Sequence, residues 1–182
     1  MKYYEKVKLK NNKDCLIFNA TKENGKEVLD LFILTHGQTN NLRTYPEECK
    51  MTPSSEGEFL QNQTDSERNI ELVSQVDGKI VGSAGIEEVS STIKTKHRAD
   101  FGISIDKAYW GLGIGKALSQ ACIKCAKDAG YKQIELEVVS ENTPAIALYK
   151  SLGFVEFGRN PCGFLSKEGE FQELILMRKV LN

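Results

Sequence analysis

The chain has 182 residues, 24 Lys+Arg against 25 Asp+Glu, a formal net charge of −1, 40% hydrophobic residues and 27% charged ones. That length suits a single domain, residues 1–182, able to bury a core without disulfide or metal staples, and the composition excludes a disordered or fibrous chain. The charge balance lacks the basic excess of a nucleic-acid or anionic-membrane binder, so neither partner is expected.

Val7 and Leu9, then Leu16, Phe18 and Ala20, alternate around the turn residues Asn11 to Asp14, which predicts two short strands. Asn24 and Gly25 precede Val28, Leu29, Leu31, Phe32 and Leu34, a helical spacing, and Pro53 opens a second helix carrying Phe59 and Leu60. Ile70, Leu72 and Val76 repeat with period two, Asp77-Gly78 supplies a tight turn, and Ile80 begins the returning strand. Phe101, Ile103 and Ile105 form the next strand. Gly113 to Gly130 reads as a helix with Ile114, Ala117, Leu118, Ala121, Cys122, Cys125, Ala126 and Ala129 on its apolar face, and with Lys116, Ser119 and Gln120 opposite. Ile134, Leu136 and Val138 make a strand and Asn142 to Leu152 a helix stopped by Gly153; Phe154–Phe157 and Phe171–Val180 close the chain as strands. Hairpins first and alternating β and α later predict an α/β fold, a mixed sheet of about seven strands with about four helices on both faces.

Five cysteines, an odd number in a chain that needs no staples, indicate a reducing compartment. Lys2 to Asn12 contain no apolar signal region, and the stretch Val28 to Leu34, interrupted by Asp30, falls far short of the ~20 residues of a membrane span. A cytoplasmic location is expected. Cys122 and Cys125 share the apolar helical face, which favours core packing over redox or zinc chemistry, and His36 and His97 show no ligand spacing, so no metal is expected.

Chemistry concentrates between Ile103 and Lys116, where a strand ends, Gly111, Gly113 and Gly115 alternate with apolar residues, and an amphipathic helix begins. Backbone N–H groups converging at such a helix start bind anions, and glycine lets a phosphate approach the main chain. The spacing matches neither the G-x-x-x-x-G-K-S/T loop nor the dinucleotide G-x-G-x-x-G, and a plain left-handed turn feeding a helix has the same local look. A second segment follows the strand Ile134–Val138: Asn142-Thr143-Pro144-Ala145-Ile146-Ala147-Leu148-Tyr149-Lys150-Ser151-Leu152-Gly153-Phe154. Asn142 suits an N-cap and Pro144 the first turn. Tyr149, sharing a face with Ala145, Leu148 and Leu152, reads on its own as a core aromatic.

In this order and spacing the two segments resemble the GNAT superfamily of acyl-CoA-dependent N-acetyltransferases. Trp110-Gly111-Leu112-Gly113-Ile114-Gly115 is similar to that family's pyrophosphate motif Q/R-x-x-G-x-G/A, and Asn142, Ala145, Leu148, Tyr149, Gly153 and Phe154 fall on its N-x-x-A-x-x-L-Y-x-x-x-G-F pattern. The likeness covers residues 68–180, the expected acetyl-CoA scaffold, and leaves residues 1–67 to shape the acceptor site. It implies a GNAT-like fold with acetyl-CoA as co-substrate. The N–H groups of Gly111, Leu112, Gly113, Ile114, Gly115 and Lys116 would hold the phosphates, the backbone of Ile103, Ser104 and Ile105 would pair with the pantetheine arm, and Asn142 and Tyr149 would border the cofactor. Trp110 replaces the family's Arg or Gln and cannot offer a forked donor; Lys116 either adds a positive charge or is a surface lysine.

The resemblance further implies direct attack of a deprotonated amine on the thioester, with Tyr149 protonating the departing thiolate. Candidates for the base are Glu87 acting through water, its neighbour Glu88, and His97 in the segment His97 to Asp100, histidine being the side chain that ordinarily titrates near neutral pH. The expected activity is acetylation of a primary amine of a small molecule or of a protein N-terminus. The alternative is a non-catalytic acyl-CoA-binding regulatory module on the same fold. Residues 35–60, the loop from Glu88 to Lys96 and the segment Arg159 to Phe171 are expected to build the acceptor pocket. Glu47, Glu48, Glu56 and Glu58 against Arg43 and Lys50 suggest either a cationic acceptor such as a polyamine or aminoglycoside, or a solvated face. A homodimer is the family-level expectation.

Overall fold

The computed structural model describes residues 1–181. Eight strands, β1 (Tyr4–Lys8), β2 (Asp14–Asn19), β3 (Ile70–Val76), β4 (Lys79–Glu88), β5 (Arg98–Ile105), β6 (Gln133–Val139), β7 (Val155–Leu165) and β8 (Phe171–Val180), form one sheet in the order β1-β2-β3-β4-β5-β6-β8-β7. The helices are α1 (Gly25–Gln38), α2 (Pro53–Asp65), α3 (Ile114–Asp128) and α4 (Thr143–Ser151). The expected mixed α/β architecture is present, and its sheet has eight strands where about seven were anticipated.

Helices α1 and α2 cover one face, where Val28, Leu31 and Leu60 pack on Val73 and Ile80. Helix α3 covers the other with Leu118, Ala121, Cys122 and Cys125 against Leu72, Ala84 and Ile86. Each fully buried aliphatic side chain here contributes roughly 1.5–3 kcal/mol. Cys122 and Cys125 are thus core residues, and burial raises both thiols, Cys125 to about 11.

Three local expectations are corrected. In β2 the fully buried residues are Cys15 and Ile17, with Leu16 and Phe18 only half-buried, because helices cover both faces and erase the in/out contrast that sets the phase. Ser119, assigned to the polar face of α3, is buried. Strand β7 runs to Leu165 rather than ending at Phe157; register shifts at Glu156/Gly158 and Asn160/Phe164 break its alternation, and Pro161 is tolerated on an edge strand.

The feature that positions the site is a split in the sheet. Strands β5 and β6, the one parallel pair among the described residues, are joined only where Arg98, Ala99 and Asp100 face Gln133, Ile134 and Glu135. Beyond Asp100, β5 continues on β4 alone as far as Ile105, and beyond Glu135, β6 continues on β8 alone. The two halves diverge into a V-shaped cleft. Arg98 clamps its vertex, with Nε and Nη2 both donating to the Glu135 carboxylate and Nη2 at 2.6 Å from Oε2, while Gln133 adds a third donor at 2.7 Å.

Candidate active site

At the C-terminal end of β5 the chain turns on Asp106. Its carboxylate caps a single 3-10 turn (Lys107–Tyr109) by accepting from the Ala108 N–H, and also accepts from Gln38 Nε2 at 3.1 Å and Lys79 Nζ at 3.2 Å. Burial pushes the Asp106 carboxyl up, and these three donors outweigh it and hold the group below the ordinary carboxylate range. Gln38 also accepts from the Lys107 N–H, so the end of α1 is tied to the loop from both directions.

The glycines then do what their spacing predicts. Gly111 and Gly113 lie at φ +77° and +101°, the left-handed region that side chains resist, and nothing lies within 4 Å of a Cβ placed on either. Gly113 is the N-cap of α3, whose first internal hydrogen bond is Ala117 N–H to Gly113 O. The six N–H groups from Gly111 to Lys116 therefore have no acceptor among the described residues. Six free donors beside open space at the positive end of a 15-residue helix fit a pyrophosphate. The Lys116 side chain is exposed on the first turn of this helix.

The register extends that row of donors along β5. Asp106 N–H bonds Val81 O, and Ser104 lies opposite Ser83. Alternation then turns the backbone groups of Ser104 toward β4 and those of Ile103 and Ile105 toward the cleft. Trp110 takes one of these groups, its indole Nε1 donating to Ile105 O at 2.7 Å. The residue in the family's Arg/Gln position thus holds the loop against the strand. Its ring is 47% exposed.

Helix α4 starts from Asn142, whose Oδ1 accepts from the Ala145 N–H at 3.4 Å, and ends by placing Tyr149 at the vertex of the cleft. The ring meets Phe101, the first β5 residue beyond the β5–β6 pairing, edge-on at 6.2 Å between centroids, and Phe154 at 5.8 Å. Tyr149 is 7% exposed, and its hydroxyl has no hydrogen-bond partner among the described residues. Burial raises it to about 12, so it is protonated throughout the physiological range.

Across the sheet, α1, α2 and strands β3 to β5 border a half-open cavity of about 230 Å³ lined by Phe32, Met51 and Phe59 together with Glu56, Glu71, Ser83 and Ser104. Glu71 was not among the expected candidates. On β3 it sits opposite Gly85, where any Cβ would overlap its carboxylate, and this gap lets the side chain lie across β4 and accept from the Ser83 hydroxyl. Burial raises Glu71 to about 7, against the lowering effect of Ser83, with the neighbouring charges of Glu56 and Glu87 adding to the rise. The Gly in the partner strand was the one signal that could have singled it out.

Of the expected bases, Glu87 is an exposed residue on the same face, where its Oε1 accepts from Gln63 Nε2 at 2.7 Å. Glu88 pairs with Arg68 at 3.2 Å. His97 is exposed at the closed end of the sheet, its carbonyl accepting from Lys132 and Gln133. Four steps along the strand, about 13 Å, separate it from Phe101. The expected acceptor segments meet in part: Gln172 donates to Asn40 O, the Lys167 N–H donates to the Tyr45 hydroxyl, and Arg43 reaches Glu137 on β6. The Glu88–Lys96 loop lies with His97 instead.

Residues 38–154 match the model of the acetyltransferase (GNAT) family. Human N-acetyltransferase 8B is 34% identical over 89 residues, 48% of this chain and 39% of that protein. The L-amino acid N-acetyltransferase AaaT of Escherichia coli is 33% identical over 111 residues, 60% of this chain and 67% of its own. The matched segment therefore spans from about two fifths to two thirds of these relatives. The crystal structure of a GNAT-family acetyltransferase from Streptococcus pneumoniae superposes with a TM-score of 0.88 at 28% identity, covering 92% of this chain and 99% of that one. The anion cradle, the split sheet and these matches agree, and the chain belongs to the GNAT family of acetyltransferases, which use acetyl-CoA as acetyl donor.

Proposed function

We propose that the protein transfers the acetyl group of acetyl-CoA to a primary amine, of a small molecule or of a protein N-terminus, by direct attack in a ternary complex. One observation carries this reading: the free N–H groups of Gly111 to Lys116 run on into the open edge of β5, and that edge ends at Tyr149. Bound acetyl-CoA supplies the activated acetyl group as a thioester. The loop donors hold its phosphates, and the cleft-facing Ile103 carbonyl and Ile105 N–H, the Ile105 carbonyl being held by Trp110, pair with the amides of its arm. An Ile103 N–H turned into the cleft is placed to stabilise an oxyanion. Tyr149 holds the proton that a departing thiolate needs. Residues 68–180 form the donor half of one domain spanning residues 1–182, and residues 1–67 bring α1 and α2 over the acceptor face. Glu87, at the exposed rim of that face, and the more distant His97 are reached only through water.

Calorimetric titration with acetyl-CoA, followed by thiol release with a panel of amines, tests the reading. Binding with thiol release supports it. Binding with no release from any amine favours the non-catalytic acyl-CoA module instead. Gly113→Ala is expected to raise the acetyl-CoA Kd about fivefold, because a left-handed non-glycine residue costs roughly 1–2 kcal/mol and the loop relaxes away from the cradle geometry. An unchanged Kd would remove the loop as the phosphate site.

A further inference from the structure

We propose that the cavity between α1, α2 and strands β3 to β5 binds the acceptor as a small primary amine with an apolar body and no carboxylate, its ammonium seated on Glu71, which takes its proton. This deepens the acetyltransferase reading and rests on it.

The walls decide the chemistry. Apolar side chains of α1 and α2, Phe32 and Phe59 among them, form one side, where α2 also contributes the Glu56 carboxylate, and the polar groups on the sheet opposite are the Glu71 carboxylate and the hydroxyls of Ser83 and Ser104. No Lys, Arg or His lines the cavity among the described residues. An amino-acid acceptor would place its carboxylate beside Glu56 and Glu71 with no cation to pair it, a like-charge contact. An ammonium has the opposite balance, with a carboxylate partner and an apolar wall for its substituent. At about 230 Å³ the cavity is smaller than the roughly 300–1,000 Å³ of drug-sized sites and matches a short alkyl or aryl amine better than an aminoglycoside.

Glu71 is built for contact with this cavity. Gly85 leaves the space its carboxylate occupies, and Ser83 orients it. Ser104, on the cavity wall, belongs to the stretch of β5 that borders the cleft on its other edge, so donor and acceptor approach one gap from opposite faces of the sheet. The charged groups around Glu71 are Glu56 on α2 and Glu87 on β4, and Asp100 on β5 lies opposite Glu87 in the register. On α1, His36 stacks on Phe32, and burial lowers its titration, so it stays neutral. Raised to about 7, Glu71 is a carboxylate that accepts a proton from an ammonium near neutral pH and releases it to solvent. The freed nitrogen lone pair forms the C–N bond to the acetyl carbon, and the C–S bond breaks with its electron pair on sulfur. Tyr149 protonates that sulfur and is restored through water by the second nitrogen proton.

Matched acceptors provide the test. The kcat/KM for 2-phenylethylamine and 3-methylbutylamine is expected to exceed that for L-phenylalanine and L-leucine, which differ by one carboxylate, at least thirtyfold. Glu71→Gln is expected to lower kcat/KM for the amines at least a hundredfold with the acetyl-CoA Kd unchanged. Its pH profile should lose the rise near 7 and follow the amine's own ionisation, about 10. Equal or better use of the amino acids by the unaltered protein overturns the proposal without any variant. So does an unchanged profile in Glu71→Gln, or acetyl-CoA binding with no amine of the panel acetylated. Failure to bind acetyl-CoA at all overturns the acetyltransferase reading itself, so the two failures are distinct.

Discussion

Replacing Tyr149 by phenylalanine is expected to lower kcat at least tenfold while the acetyl-CoA Kd stays within about twofold. The substitution removes one oxygen and leaves the ring in its contacts with Phe101 and Phe154, so packing at the vertex is retained. Since the hydroxyl has no partner among the described residues, its loss orphans no protein group and costs little stability. What disappears is a proton donor, and positioned acids contribute typically 10²–10⁴-fold, roughly. Tenfold is the floor because water entering the cleft can protonate a thiolate, which is a good leaving group even unassisted. Stopped-flow acetyl transfer together with calorimetry separates the two constants. A kcat equal to that of the parent would remove Tyr149 as the acid.

Arg98→Ala is expected to lower stability by about 2–3 kcal/mol. Glu135 is 8% exposed, and without Arg98 it keeps only Gln133 as a donor. Stranding a buried charge costs about 3–5 kcal/mol; the partial exposure of Arg98 argues for less. At roughly 2–4 °C per kcal/mol for a chain of this size, Tm should fall by about 4–12 °C. The pH dependence has a definite sign. The Arg98 hydrogen bonds hold the Glu135 carboxyl below its ordinary value, so their stabilisation is complete above the unfolded value near 4.5 and disappears as pH falls through the folded one. The difference between parent and variant should therefore be greatest at neutral pH and shrink below about pH 4. A Tm difference independent of pH would show that the pair does not clamp the vertex.

The donor half was legible because its signals are local. Gly111 and Gly113 announce a left-handed turn, Ile114 to Ala126 repeat at helical spacing, and Asn142 with Pro144 marks a helix start; each was found where expected. The split between β5 and β6 was not legible, since nothing in Phe101-Gly102-Ile103 says that a strand loses its neighbour on one side. Strand pairing is non-local, and the same residues suit a fully paired strand. Glu71 was hidden for a related reason. Between Ile70 and Leu72 it has the alternation of a solvent-facing residue, and only the arrival of α1 and α2 from earlier in the chain turns that face into an interior. The bulged β7 escaped because its register shifts erase the period by which strands are recognised.

The two hydrogen bonds of Gln38 have a thermodynamic consequence. The helix that walls the acceptor cavity and the strand end that opens the phosphate loop share one side-chain amide, which donates to Asp106 and accepts from Lys107. An amine that shifts α1 therefore perturbs the loop, and a pyrophosphate that orders the loop restrains α1. Linkage makes the effect reciprocal: whatever factor acetyl-CoA applies to amine affinity, the amine applies to acetyl-CoA. A coupling of only about 1.4 kcal/mol through that amide makes each ligand bind tenfold tighter to the singly occupied protein than to the empty one, so the doubly occupied state accumulates at concentrations where neither ligand alone fills its site.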